Sequence, residues 1–104
     1  MIFCLKKIPI KEIIYFESEG KKVRMITEKE SYEFYSKLSD VEQQLGSRDF
    51  IFIHKSFLIN FSFVIEYEYE SVKMSDQNVL SISQRYRKQV RDRLFQRKNN
   101  EVGI

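Results

Sequence analysis

The chain has 104 residues, 42% of them hydrophobic and 14% aromatic, enough for one packed domain and too few for two. Three glycines, one proline and 32% charged residues of balanced sign exclude collagen-like, low-complexity and wholly disordered classes. A lone cysteine, Cys4, cannot close an intramolecular disulfide, and no apolar run approaches the ~18 residues of a membrane helix. Residues 1–7 lack the order of a secretion signal, in which charge precedes a longer apolar run. A cytoplasmic domain over residues 1–98 with a tail at 99–104 is expected, with no membrane partner.

The net charge is only +3, but it is unevenly spread. Residues 83–98 hold Arg85, Arg87, Lys88, Arg91, Arg93, Arg97 and Lys98 against Asp92 alone, so the rest of the chain is net negative. Such asymmetry fits a polyanion partner and fits equally a solvated helix face.

In chain order, Ile13-Ile14-Tyr15-Phe16 is a β-rich run, and residues 17–22 have turn composition around Gly20. Val23-Arg24-Met25-Ile26-Thr27 and Ser31-Tyr32-Glu33-Phe34-Tyr35 complete a predicted three-stranded meander. Leu38, Val41 and Leu45 repeat at helical spacing, which predicts a short helix over residues 36–45 that packs one face on a sheet. Ser39 with Glu42 fits a capping box, Ser36 is an alternative cap, and Gly46 is a natural stop.

Residues 50–65 read as apolar and interrupted, with His54-Lys55-Ser56 breaking the run near its middle. Ile65-Glu66-Tyr67-Glu68-Tyr69-Glu70 then alternates strictly, which predicts a strand with Ile65, Tyr67 and Tyr69 on one face. Residues 75–78 read as a turn between Val72-Lys73-Met74 and Val79-Leu80-Ser81-Ile82. Ser83 is a candidate cap for a final helix whose apolar face is Tyr86, Val90 and Leu94, ending near Asn99-Asn100. About seven strands and two helices make the fold mainly β.

Converging reactive groups for an enzyme are not evident. One histidine and one cysteine cannot by themselves make a Cys/His metal site, and Cys4 in its apolar setting reads as a buried structural thiol. Three glycines cannot build a GxGxxG or P-loop cradle, and Glu66, Glu68 and Glu70 read as a solvated strand face. Neither catalysis nor a cofactor or metal is expected.

His54-Lys55-Ser56-Phe57-Leu58-Ile59-Asn60 resembles the central signature of the LytTR DNA-binding domain family, often His-Arg-Ser-Tyr-Leu-Val-Asn. Ile13-Ile14-Tyr15-Phe16-Glu17 is similar to that family's opening strand, and Leu80-Ser81-Ile82-Ser83-Gln84-Arg85-Tyr86 to its closing element, usually Leu-Pro-Val-Ser-Arg-Arg-Tyr. The resemblance covers about residues 8–94 and implies an elongated, mainly β fold that reads double-stranded DNA through loops between strands. It also implies a transcription-regulating output domain of a bacterial response regulator in a two-component system, behind a receiver domain. Repeated half-sites bound by two protomers follow from the same resemblance. The few residues ahead of the first strand favour a segment of a longer protein over a stand-alone member.

The resemblance assigns three loops to DNA. In the central one Lys55 is set to reach guanine O6 or N7, or a phosphate, with His54 and Ser56 as phosphate donors beside it. His54 is equally a packing residue that orders the loop, and Asn60 a local turn cap. In the last loop Arg85 matches the base-reading arginine, whose fork pairs with guanine's Hoogsteen edge. Ser83 and Gln84 flank it, Gln84 standing where arginine is frequent and Ser81 where proline is. In the first loop Lys21 and Lys22 adjoin a contact position held by Val23, which favours phosphate contact, with Arg24 a further candidate. Arg87, Lys88 and Arg91 are candidate phosphate ligands, and Arg93, Arg97 and Lys98 a solvated tail. Two other classes compete: a protein-interaction module docking on the Ile65/Tyr67/Tyr69 face or a strand edge, and a non-specific RNA-binding β surface with stacking aromatics.

Overall fold

The computed structural model describes residues 2–3, 6–46 and 49–97. Ile2–Phe3 (β1) pairs with Lys6–Lys7 (β2). Ile13–Glu19 (β3), Lys22–Thr27 (β4) and Ser31–Tyr35 (β5) form the expected meander. Phe50–His54 (β6) and Phe57–Asn60 (β7) form a hairpin that joins it, giving an antiparallel five-stranded sheet in the order β5-β4-β3-β7-β6. Val64–Glu68 (β8), Ser71–Met74 (β9) and Val79–Ser81 (β10) make a separate antiparallel sheet, β10-β9-β8. Leu38–Leu45 (α1) and Arg87–Arg97 (α2) are the two α-helices among the described residues.

The five-stranded sheet buries both faces, which explains the continuous apolar run of β6 and β7. Successive side chains of a strand point to opposite sides. Phe16, Val23, Met25, Phe50 and Leu58 pack with Leu38, Val41 and Leu45 of α1 in one core. Ile51, Ile53 and Ile59 pack with Val72, Met74, Leu80, Ile82 and Val90 in the other, under the second sheet and α2. The molecule is elongated, 40 × 26 × 25 Å.

Several local expectations need correction. α1 starts at Leu38, and its N-cap is Lys37, with no side-chain cap bond. Ser36 Oγ donates to the Lys37 carbonyl, and Ser39 lies inside the first turn, so neither serine caps. Gly46 does close the helix, at φ +53°, a left-handed conformation that glycine adopts without strain. Ser83 precedes a 3-10 turn, Gln84–Tyr86, also without a side-chain cap bond, and α2 follows from Arg87.

The alternation over residues 65–70 is broken. A register shift between Val64 and Glu66 and an early end at Glu68 put Tyr69 and Glu70 in the turn to β9. Ile65 and Tyr69 are about half exposed, while Tyr67 and Val64 pack against the second core. A bulge changes which side of the sheet each later residue faces, so period-two alternation does not survive it. Beyond the expected strands, β1 and β2 are additional. Cys4 and residues 98–104, including Lys98, Asn99 and Asn100, lie outside the described residues.

Asn60 is the one buried polar side chain among the described residues, 3% exposed. Its Nδ2 donates to the Ile13 carbonyl at 2.9 Å and its Oδ1 accepts from the Ser62 amide at 3.0 Å. It therefore ties β7 to the start of β3 and caps the turn after it. Asn60→Ala takes this partner from the buried Ile13 carbonyl and should cost about 1–3 kcal/mol, read from the urea midpoint. The Tyr15 hydroxyl accepts from Asn78 Nδ2 at 3.2 Å, joining the five-stranded sheet to the β9–β10 turn. Burial, and then Asp76 nearby, raise its pKa above the ordinary phenol value. The folded protein then keeps this proton longer than the unfolded chain. Stability should fall as pH climbs from about 10 towards the folded value, and Tyr15→Phe should show a smaller alkaline loss in the same urea titration.

Candidate nucleic-acid interface

β3, β5 and β6 run in one direction, so the β3–β4 turn at Gly20-Lys21, the end of β5 and the β6–β7 turn at Lys55-Ser56 share one end of the sheet. Gly20 takes φ +63°, which the tight first turn requires. Backbone bonds lock these segments together. The Ser18 amide donates to the Ser56 carbonyl at 2.8 Å, and the Ser83 amide donates to the Ile53 carbonyl at 2.9 Å. The second bond brings the segment that carries Gln84 and Arg85 against β6.

The central turn is held from within. His54 Nδ1 accepts the Ser56 amide at 3.0 Å, and its ring lies 5.7 Å from that of Phe57. The imidazole thus orders the turn, the packing role weighed from the sequence. Ser56, half-buried, is held through its backbone. Lys55, at the tip, is exposed and makes no ion pair among the described residues.

The basic residues singled out in the sequence divide into two groups. Lys21, Lys55, Arg85 and Lys88 are exposed, as is the neutral Gln84 beside Arg85, and none of the four cations has an acidic partner among the described residues; the Arg85 guanidinium rests 5.6 Å from the Tyr86 ring. Lys21, Lys55 and Tyr86 line one open groove of about 750 Å³. The others are engaged within the fold. Arg24 meets Glu17 at 3.0 Å and Glu19 at 3.7 Å, across the β3–β4 pair. Lys22 lies 3.9 Å from Glu33 and 5.5 Å from the Tyr35 ring. Arg87 Nε donates to the Ile82 carbonyl at 3.0 Å and its guanidinium is 3.9 Å from Glu70, which staples α2 to the loop before it. Arg91 is half-engaged, 3.4 Å from Asp92 and 5.8 Å from the Tyr69 ring. Burial raises the Tyr67 hydroxyl pKa, and the positive charge of Arg91 opposes the rise. Arg93 lies 5.4 Å from the Phe61 ring, not in a free tail.

Sequence reasoning missed Tyr35 and Lys37. Both line the same groove, and Tyr35 is 76% exposed. The only signal was their position between the meander and α1, which lacks meaning until the sheet shows which turns meet there. The aromatic platform that RNA stacking needs is not open. Both sheet faces carry cores, and the uncovered part near β4 and β5 holds Glu17, Glu19, Lys22, Arg24 and Glu33 beside Tyr35. Among the described residues there is no cluster of three or more His, Cys, Asp or Glu suited to a metal, and no helix long and apolar enough to cross a membrane.

Neighbouring arginines should therefore behave differently. Arg87→Ala removes a charge-assisted bond to a carbonyl and should cost about 1–2 kcal/mol, lowering the melting temperature by several degrees. Arg85→Ala should lower it by less, about 2–4 °C, since an exposed cation–π contact is worth only ~0.5 kcal/mol. Thermal unfolding by circular dichroism measures both.

The sequence profile of the LytTr DNA-binding domain matches residues 4–95. The transcriptional regulatory protein NatR of Bacillus subtilis (strain 168) is 33% identical over 54 residues, 52% of this chain and 23% of NatR. The chain thus spans less than a quarter of that relative. The LytTr DNA-binding domain of a Bacillus cereus protein, described as a methyl-accepting/DNA response regulator, superposes with a TM-score of 0.75 at 23% identity, over 84% of each chain. With the two-sheet fold and the converging loops, the match over nearly the whole chain gives its family: this chain belongs to the LytTr DNA-binding domains, a family of DNA binders and not of enzymes.

Proposed function

We propose that this chain is the sequence-reading output domain of a transcriptional regulator, binding double-stranded DNA through the three tied loops and carrying no catalysis. The observation that supports this most is the pair of backbone bonds, Ser18 to Ser56 and Ser83 to Ile53, which gather three loops bearing uncommitted cations at one end of the sheet. Lys55 and Arg85 are the proposed base readers, because both project from rigid backbone and neither is neutralised by a carboxylate. Lys21, Lys88 and Arg91 are proposed phosphate ligands, and Ser56, Ser83 and Gln84 supply shorter donors beside them. His54 acts through the turn it orders. Lys22, Arg24 and Arg87 serve the fold first, so their part in binding is secondary.

The family, the name of NatR and the description of the Bacillus cereus protein as a response regulator favour a longer cytoplasmic regulator with a receiver domain ahead of this one. Two protomers on repeated half-sites complete the proposal, without cofactor or metal.

Three phosphate-contacting cations, Lys21, Lys88 and Arg91, give a log–log dependence of affinity on salt with a slope of roughly −3. The test is equilibrium binding to a duplex selected from a random pool and to its single-base variants, at several salt concentrations. Arg85→Ala should lose about 1–3 kcal/mol of discrimination at one base position. Lys88→Ala should weaken all duplexes alike and shallow the slope by about one. A flat salt dependence, or equal losses on every duplex for Arg85→Ala, contradicts this reading.

A further inference from the structure

We infer that the corner between β5 and α1, Tyr35-Ser36-Lys37, is a fourth DNA-contacting element, with Lys37 holding a backbone phosphate beside the one reached by Lys21. The inference rests on the DNA-binding reading and extends it to residues outside the three loops. The Ser36 amide donates to the Lys21 carbonyl at 3.2 Å, so the corner is tied to the first turn and moves with it. Lys37 is exposed, has no ion pair among the described residues, and lines the groove that Lys21 and Lys55 also line. Asp40 is the one acid on that groove, so its lining is net positive. The groove floor is largely apolar and aromatic, with Leu38, Phe52 and Tyr86, and three lysines stand over it, an arrangement that suits a polyanion gripped by point charges at an open surface. Tyr35, held under the Lys22 ammonium at 5.5 Å, presents its hydroxyl at the rim as a further donor.

Lys37 and Asp40 then have opposite effects on binding. Lys37→Gln should weaken every duplex alike, about five-fold at moderate salt, and reduce the salt slope by about one. Asp40→Asn should strengthen binding by about two-fold or more, because it removes the groove's one anion. Lys37→Arg should keep the wild-type slope. Lys29→Gln, an exposed lysine in the β4–β5 turn at the far end of the sheet, controls for bulk charge and should leave affinity within two-fold. The duplex is the one selected from a random pool, and melting temperatures confirm that each variant folds. Unchanged binding by Lys37→Gln while Lys55→Ala weakens it overturns the corner and leaves the three-loop reading standing. Equal losses for Lys37→Gln and Lys29→Gln also overturn it. Absence of duplex binding by the wild-type chain overturns both.

Discussion

A single backbone bond, from the Ser83 amide to the Ile53 carbonyl, couples the last loop to the edge of the five-stranded sheet. Together with the second core, which holds Ile51 and Ile53 of β6 against Ile82 and Val90, it sets where Arg85 stands relative to Lys55. The bond forms because Ile82 on one side and Ile53 on the other are both fully buried in that core. Apolar packing brings the two chains to hydrogen-bonding distance, and the amide and carbonyl must then find partners because water is excluded there. Burial thus determines where the uncommitted cations stand.

Charge pairing sharpens the picture further. Glu17 and Glu19 draw in Arg24, Glu33 draws in Lys22, and Glu70 draws in Arg87. These exposed or half-exposed pairs add little stability, of order 0–1 kcal/mol each. Their larger consequence is distribution: positive potential is cancelled along the β4 face and left standing at the loop end. A net charge as small as +3 is therefore compatible with a strongly positive local surface.

The fold was largely legible in the sequence, because apolar spacing reports burial directly. The meander, the Gly46 stop and the Tyr86/Val90/Leu94 face each follow from a period or a glycine. What was not legible depends on partners across the chain. The bulge after Val64 needs Met74 and Lys73 opposite it, and no single-strand pattern contains them. None of the three candidate serines caps through its side chain, because a cap is a matter of φ, ψ and aim, and Lys37 and Ser83 stand at the N-caps without a side-chain bond. The candidate site was legible as a set of loops and not as a set of free charges. Arg24 and Lys88 look alike in sequence, and only cross-strand register shows that one faces two carboxylates.

The seven basic residues of 83–98 fit in sequence either a polyanion partner or a solvated helix face, and the packing argues against α2 entering a groove. A helix that enters a groove must present its basic face free of the protein body. Here Arg87 is bonded to Ile82 and Glu70, Arg91 rests by Tyr69, and Arg93 rests by Phe61. Tyr86, Val90 and Leu94 hold the opposite side against the second core. Freeing α2 for a groove would expose Val90 and break the bond to Ile82. The 3-10 turn before it has no such constraint: Arg85 leaves it exposed, braced only by the Tyr86 ring. In this domain the helix is the anchor, and the turn that leads into it carries the exposed guanidinium.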